Sequence, residues 1–125
     1  MIRSVVRWLA TIWILTLIAG SLMPGQAKVT LGLVGTRPPN LEHRVAHFVG
    51  FGIAELLLLF LATNRRQQSH RVIGMVSLGL CLELTQHFVL SGRYFEWWDV
   101  RDDAIGIFAA LLVIDITRAR KWIST

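Results

Sequence analysis

A chain of 125 residues that is 54% hydrophobic and only 17% charged falls below the ~25% charged residues usual for a soluble domain. Its mean hydropathy is +0.53, and apolar blocks this long cannot be hidden around one small soluble core. The net charge of +5 does not mark a nucleic-acid binder, because the basic residues flank the apolar blocks instead of lining one face. A single cysteine, Cys81, excludes an intramolecular disulfide and reads as a small buried hydrophobe.

In chain order, four blocks approach the roughly 17–25 apolar residues that a bilayer-crossing helix needs. The first covers about residues 5–23, with Arg3 and Arg7 before it and Pro24-Gly25 stopping it. Its apolar stretch exceeds most secretory h-regions and the cleavage motif is poor, so it reads as an uncleaved helix. Residues 24–40, with Gly25, Gly32, Gly35 and Pro38-Pro39, read as a loop. Asn40 is placed to cap the second block, about residues 45–62. A short basic loop, 64–71, leads to the third, about 72–90, which ends at Ser91-Gly92. The fourth covers about 100–117, followed by Arg118, Arg120 and Lys121. The expected fold is therefore all-α: one domain, residues 1–125, forming a polytopic membrane helix bundle of about four transmembrane helices.

Four crossings put both termini on one side. With the N-terminus cytoplasmic, the inside carries Arg3, Arg7, Arg65, Arg66, Arg71, Arg118, Arg120 and Lys121, and the outside Lys28, Arg37, Arg44, Arg93 and Arg101. This excess favours cytoplasmic termini under the positive-inside rule. Trp97-Trp98 then fall at the outer interface and Trp122 at the inner one.

The same topology gathers polar residues at the outer ends of the blocks. Residues three or four apart share a helix face, so His43 pairs with His47, Glu83 with Gln86 and His87, and Asp99 with Asp102 and Asp103. The last face continues into Gly106 and Ala110, and Gly79 lies above Glu83. Small residues allow close helix approach in membranes, so the polar stripes are expected to face one another. Ionisable groups inside a membrane are a functional-site hypothesis by default. The structural alternative pairs Arg44 or Arg93 with Glu83 or Asp103 simply to fix helix order. Glu55, in the middle of the second block, is expected to bond Thr11 or Thr16.

These residues also carry a resemblance. Arg44, three positions before His47, resembles the basic-residue-to-histidine entry motif of VanZ-like proteins, where lysine is more usual. Glu83-Leu84-Thr85-Gln86 is similar to that family's Glu-x-x-Gln, and Gly92-Arg93 to its Gly-Arg turn. Asp99 opens an Asp-x-x-x-Asn motif in which Asp103 takes the asparagine position, with Gly106 following. The match covers residues 43–110. It implies a multi-pass protein of the bacterial cytoplasmic membrane, in a family named for association with resistance to the glycopeptide teicoplanin.

The candidate cluster is thus Arg44, His47, Glu83, Gln86, Arg93, Asp99 and Asp103. The leading expectation is an extracytoplasmic site for a lipid-linked envelope precursor or another amphiphilic ligand. In it Arg44 and Arg93 hold a phosphate or carboxylate and His47 exchanges a proton. An enzyme using a His-Glu pair on a lipid-linked substrate, and an assembly partner without a ligand, stay open beside it. A metal set would draw on His43, His47, Glu83, His87 and Asp103. Arg44, however, occupies the place of the glutamate that follows the first histidine in zincins, and no metal or cofactor is assigned. The expected partner is the lipid bilayer, with no nucleic acid.

Overall fold

The apolar blocks become the long helices of an all-helical bundle, seen in a computed structural model that describes residues 1–32, 41–90 and 93–123, the side chains of Val29 and residues 120–123 excepted. Helix α1 is Ile2–Leu22, α2 Gly25–Thr30, α3 Leu41–Leu61, α4 Arg65–Val89 and α5 Trp97–Ile123. The expected Asn40 cap, the Ser91-Gly92 turn and the Trp122 side chain lie outside the described residues.

Helix boundaries extend past the apolar blocks into their charged flanks. The stretch 65–71, read as a basic loop, is instead the first two turns of α4. Asn64 caps it by accepting from the Gln67 backbone N–H at 2.9 Å, and the Gln67 side chain reaches back to the Thr63 N–H at 2.9 Å. This reciprocal arrangement works like a capping box, and Arg and Gln are good helix formers. Within the expected 24–40 loop, α2 forms after Pro24, whose carbonyl accepts from Lys28. It stops at Gly32, whose φ of +67° is the left-handed conformation common just past a helix end.

The long helices alternate in direction, so α3 and α5 run parallel. At one end, Arg3 of α1 and Arg118 of α5 both reach carbonyls at the α3 C-terminus. At the other, α3 meets α5 through His43 and Asp99, and α4 meets α1 through Gln86 and the Ser21 carbonyl. Both described chain ends thus lie at the same end of the bundle.

Phe51, Ala54, Met75, Leu82 and Ile107 form the core, with Leu17 and Ile18 of α1 packed against it. Outward surfaces are apolar as well: Trp8, Ile12, Leu15, Phe60, Ile73, Phe88, Phe108 and Leu112 are all exposed. Three helices, α1, α3 and α4, are long and apolar enough to cross a membrane. Cys81 also faces outward, against the expectation of burial. In α5 the uncharged stretch is residues 104–114, about 16 Å of helix, flanked by Asp103 and Asp115. Charge, not length, separates it from the other three.

Two contacts fix α3 in place. Gly52 and Gly106 meet at the α3–α5 crossing: a Cβ on Gly52 would stand 3.3 Å from the Gly106 carbonyl oxygen, and a Cβ on Gly106 would collide with the Phe48 carbonyl. At the α3 C-terminus, where helix carbonyls lack intrahelical partners, three arginines donate from three other helices. Arg3 reaches the Leu61 carbonyl at 2.8 Å, Arg118 those of Leu59 and Ala62 at 3.0 and 2.9 Å, and Arg71 that of Leu58. Cations here also complement the negative end of the helix dipole.

Glu55 is fully buried on α3, and neither carboxyl oxygen has a hydrogen-bond partner among the described residues. The threonines expected to hold it do not: Thr11 and Thr16 donate to the carbonyls of Arg7 and Ile12 on their own helix. Serine and threonine hydroxyls within a helix commonly bond the carbonyl one turn back.

The glycine crossing makes a direct prediction. Gly106→Ala forces α3 and α5 apart and should lower stability by about 1–3 kcal/mol, the cost of overpacking. Gly74→Ala, in the interior of α4 where nothing lies within 4 Å of the added carbon, should not lower stability and can raise it by up to about 1 kcal/mol. Unfolding by SDS in mixed micelles, followed by helical circular dichroism, measures both.

Candidate functional site

The first two turns of α3 and of α5 carry matched triplets. Residues 43, 44 and 47 supply His, Arg and His; residues 99, 102 and 103 supply three aspartates. Because the helices run parallel and touch one crossing away, at Gly52 and Gly106, the triplets lie face to face. Arg44 takes Asp102 through both carboxylate oxygens, Nε to Oδ2 at 2.7 Å and Nη2 to Oδ1 at 3.3 Å. Arg101 adds a second guanidinium to Asp102 Oδ1 at 2.6 Å and stacks over the Trp98 ring at 4.6 Å. Arg44 lies 6.0 Å from the same ring.

The histidines engage the other two aspartates. His47 Nδ1 is 2.8 Å from Asp103 Oδ1, and its Nε2 is 3.4 Å from Asp99 Oδ2. His43 Nε2 reaches the same Asp99 oxygen at 2.9 Å. Asp103 is acceptor-only as a carboxylate, so it fixes the proton of a neutral His47 on Nδ1 and turns the Nε2 lone pair toward Asp99. Asp99 and Asp103 are 2% and 3% exposed, so these pairs are shielded from solvent. Gly79 of α4 makes room for Asp103: a Cβ there would stand 2.9 Å from Asp103 Oδ2.

Helix α4 closes the cluster. Buried Glu83 accepts the Glu96 backbone N–H at 3.1 Å, which anchors the segment entering α5. Glu83 Oε1 and Asp99 Oδ1 are both buried with no hydrogen-bond partner among the described residues. Gln86 donates to the Ser21 carbonyl at 2.8 Å and accepts from Arg93 Nη2 at 3.1 Å, tying together α1, α4 and the segment after it.

Beside these pairs, between α1 and α3, lies a cavity of about 200 Å3. Trp13, Leu17, Ala46 and Phe51 give it apolar walls, and Ser21, Lys28, His43 and His47 supply its polar part. Trp13 holds the wall by donating its indole N–H to the Gly50 carbonyl at 2.9 Å. Lys28 is half-buried on α2. Burial, then the nearby Arg93 charge, holds its pKa below the ordinary lysine range, while Asp99 and Glu83 pull the other way.

All seven residues singled out in the sequence fall at this end of the bundle, with different partners from those expected. Arg44 pairs with Asp102, not with Glu83 or Asp103. Arg93 reaches Gln86. His47 is oriented by Asp103 and not by Glu83. His87 faces outward and stacks edge-on against Phe88, away from the other histidines. Asp102, His43 and Lys28 belong to the site although the cluster read from the sequence omits them. The mirrored triplet spacing, 0-1-4 on α3 against 0-3-4 on α5, is the signal that marks the first two. For Lys28 the sequence offers none, because its place depends on how α2 folds back. No family model, curated protein or solved structure matches the chain.

The hydrogen-bond roles predict a graded result at one position. Asp103→Asn keeps an acceptor for His47 Nδ1–H and should change stability by less than about 1 kcal/mol. Asp103→Leu strands that buried donor and should cost about 1–3 kcal/mol. His87→Ala should have no effect in the same unfolding titration.

Proposed function

We propose that the chain is a four-span, VanZ-like protein of the bacterial cytoplasmic membrane that binds an anionic amphiphile, such as a lipid-linked envelope precursor, at its extracytoplasmic end. The observation that carries this reading is the cavity between α1 and α3. It combines a wall for a hydrocarbon chain, from Trp13, Leu17 and Phe51, with Ser21, Lys28, His43 and His47 for a headgroup. Lys28 supplies the positive charge, and half-burial strengthens its attraction for a phosphate or carboxylate.

The membrane assignment of α5 rests on its partners. It is 27 residues long, about 40 Å, against a hydrocarbon core of about 30 Å. Asp99, Asp102 and Asp103 meet His43, His47, Arg44 and Arg101, while Asp115 meets Arg65 at 2.8 Å. Paired in this way, its carboxylates are compatible with a fourth crossing. The end that bears Arg3, Arg65, Arg71 and Arg118 is then cytoplasmic under the positive-inside rule, and the His/Asp end faces outward. The VanZ-like motifs at Arg44, His47, Glu83, Gln86 and Arg93 lie at this outward end. Through that resemblance alone the reading extends to glycopeptide susceptibility.

A purely architectural role is the second reading, favoured by the completeness of the Arg44–Asp102–Arg101 and His47–Asp103 pairing. Native mass spectrometry of the detergent-released protein with short-chain phosphatidate and phosphatidylcholine separates the two. Ligand binding predicts retention of phosphatidate over phosphatidylcholine and about tenfold weaker retention in Lys28→Ala, the loss of one charge-assisted hydrogen bond. Gly20→Leu should abolish it, since Gly20 lines the cavity and nothing packs within 4 Å of its added carbon. Equal retention of both lipids, unchanged in Gly20→Leu, would leave only the architectural role.

A further inference from the structure

The two histidines and Asp99 have a geometry that salt bridging alone does not require. A ring nitrogen from His43, a ring nitrogen from His47 and a carboxylate oxygen of Asp99 all lie within 4.8 Å of one another. Two nitrogens come from consecutive turns of one helix, and the oxygen comes from another helix held parallel to it. A tetrahedral zinc ion with bonds of about 2.0–2.1 Å keeps its ligand atoms about 3.3 Å apart. The His47 Nε2 to Asp99 Oδ2 separation is 3.4 Å and the His43 Nε2 to Asp99 Oδ2 separation 2.9 Å. The first fits as it stands, the second needs an opening of a few tenths of an ångström, and the two ring nitrogens, which lie within 4.8 Å of each other, draw together by up to about 1.5 Å.

What surrounds the three atoms argues the same way. Histidines that bind metal usually donate their other ring N–H to a carboxylate, which fixes the tautomer and strengthens the ligand. Asp103 does this for His47, at 2.8 Å from Nδ1, and leaves Nε2 as the ligating atom. Both guanidinium groups nearest the triplets, Arg44 and Arg101, are committed to Asp102 and do not compete for Asp99. The carboxyl of Asp103 stands behind His47, and its negative charge offsets part of that of a divalent ion. Imidazole nitrogens with one carboxylate suit zinc and its neighbours in the transition series rather than magnesium or calcium.

We infer that His43, His47 and Asp99 form a site for a divalent transition-metal ion of the zinc class, with a fourth coordination position left for a small ligand. Three protein ligands and an open position are the composition of catalytic rather than structural zinc sites. His43 and His47 also line the α1–α3 cavity, which gives the open position a neighbour of suitable size. The site stands whether or not an amphiphile occupies the cavity.

The test uses the full, tag-free chain in detergent, stripped with chelator and titrated with Co2+ and then Zn2+. One equivalent of Co2+ should bind with the intense visible absorption of four-coordinate cobalt, and one equivalent of Zn2+ should bleach it. His43→Ala and Asp99→Asn should each weaken Co2+ binding by at least tenfold, whereas His87→Ala and His70→Ala should not. The wild-type titration needs no variant to fold, so it alone can overturn the inference: substoichiometric uptake, or only the pale spectrum of six-coordinate cobalt, would do so. Equal weakening by His87→Ala and His43→Ala would do so too. Phosphatidate retention measured on the same metal-free protein reports on the cavity separately.

Discussion

The close crossing of α3 and α5 is the contact on which the rest of the structure depends. With Gly106 seated against the Phe48 carbonyl and Gly52 against Gly106, two parallel helices come near enough for short side chains to span the gap. Aspartate is the shortest acidic side chain and histidine is not long. At an ordinary helix separation of about 8–10 Å, bonds of 2.7–2.9 Å between Asp99, Asp102, Asp103 and His43, Arg44, His47 would require longer partners. In lipid, where burying apolar surface gives no drive for helices to associate, close packing and interhelical hydrogen bonds take over. Here the two reinforce each other: the glycines admit the bonds, and the bonds hold the glycines in contact.

Much of this was legible in the sequence, for reasons that differ by residue. Apolar runs locate α1, α3 and α4 because a bilayer-length helix leaves a composition signal that needs no partner. The polar cluster was legible as a place, since the spacing of His43 with His47 and of Asp99 with Asp103 puts each pair on one face. Who bonds whom was not. Pairing depends on the rotation of each helix about its axis, which the rotation-independent spacing rule does not supply. Thus Arg44 goes to Asp102, and His87, four residues after Glu83 and expected to share its face, turns outward. Helix ends were read short because charged residues such as Arg65 and Arg66 look like loop until Asn64 and Gln67 are recognised as a cap. Helix α5 is the reverse case: its apolar stretch reads as a fourth span, but its four aspartates leave it less apolar than α1, α3 and α4.

The polar end has two neighbouring but different environments. On one side, Asp102 is saturated by two guanidinium groups stacked with Trp98, an arrangement that holds helices and has little spare hydrogen-bonding capacity. On the other, Asp99 turns one oxygen to both His43 and His47 and leaves its second without a partner among the described residues. The first is suited to architecture and the second to chemistry. Both are set by one turn of α5, so the rigidity of the Asp102 pair is what keeps Asp99 in register with the histidines.

The arginine clamp on the α3 C-terminus has a consequence for biogenesis. Its donors come from both directions along the chain: Arg3 is made before α3, Arg71 and Arg118 after it. A chain halted before α5 holds α3 with an incompletely satisfied carbonyl end, and its His43 and His47 have no aspartates to meet. Unmet polar groups then remain at both ends of one central helix. Helix α5 therefore acts as the keystone of the bundle, since it supplies partners to both ends of α3.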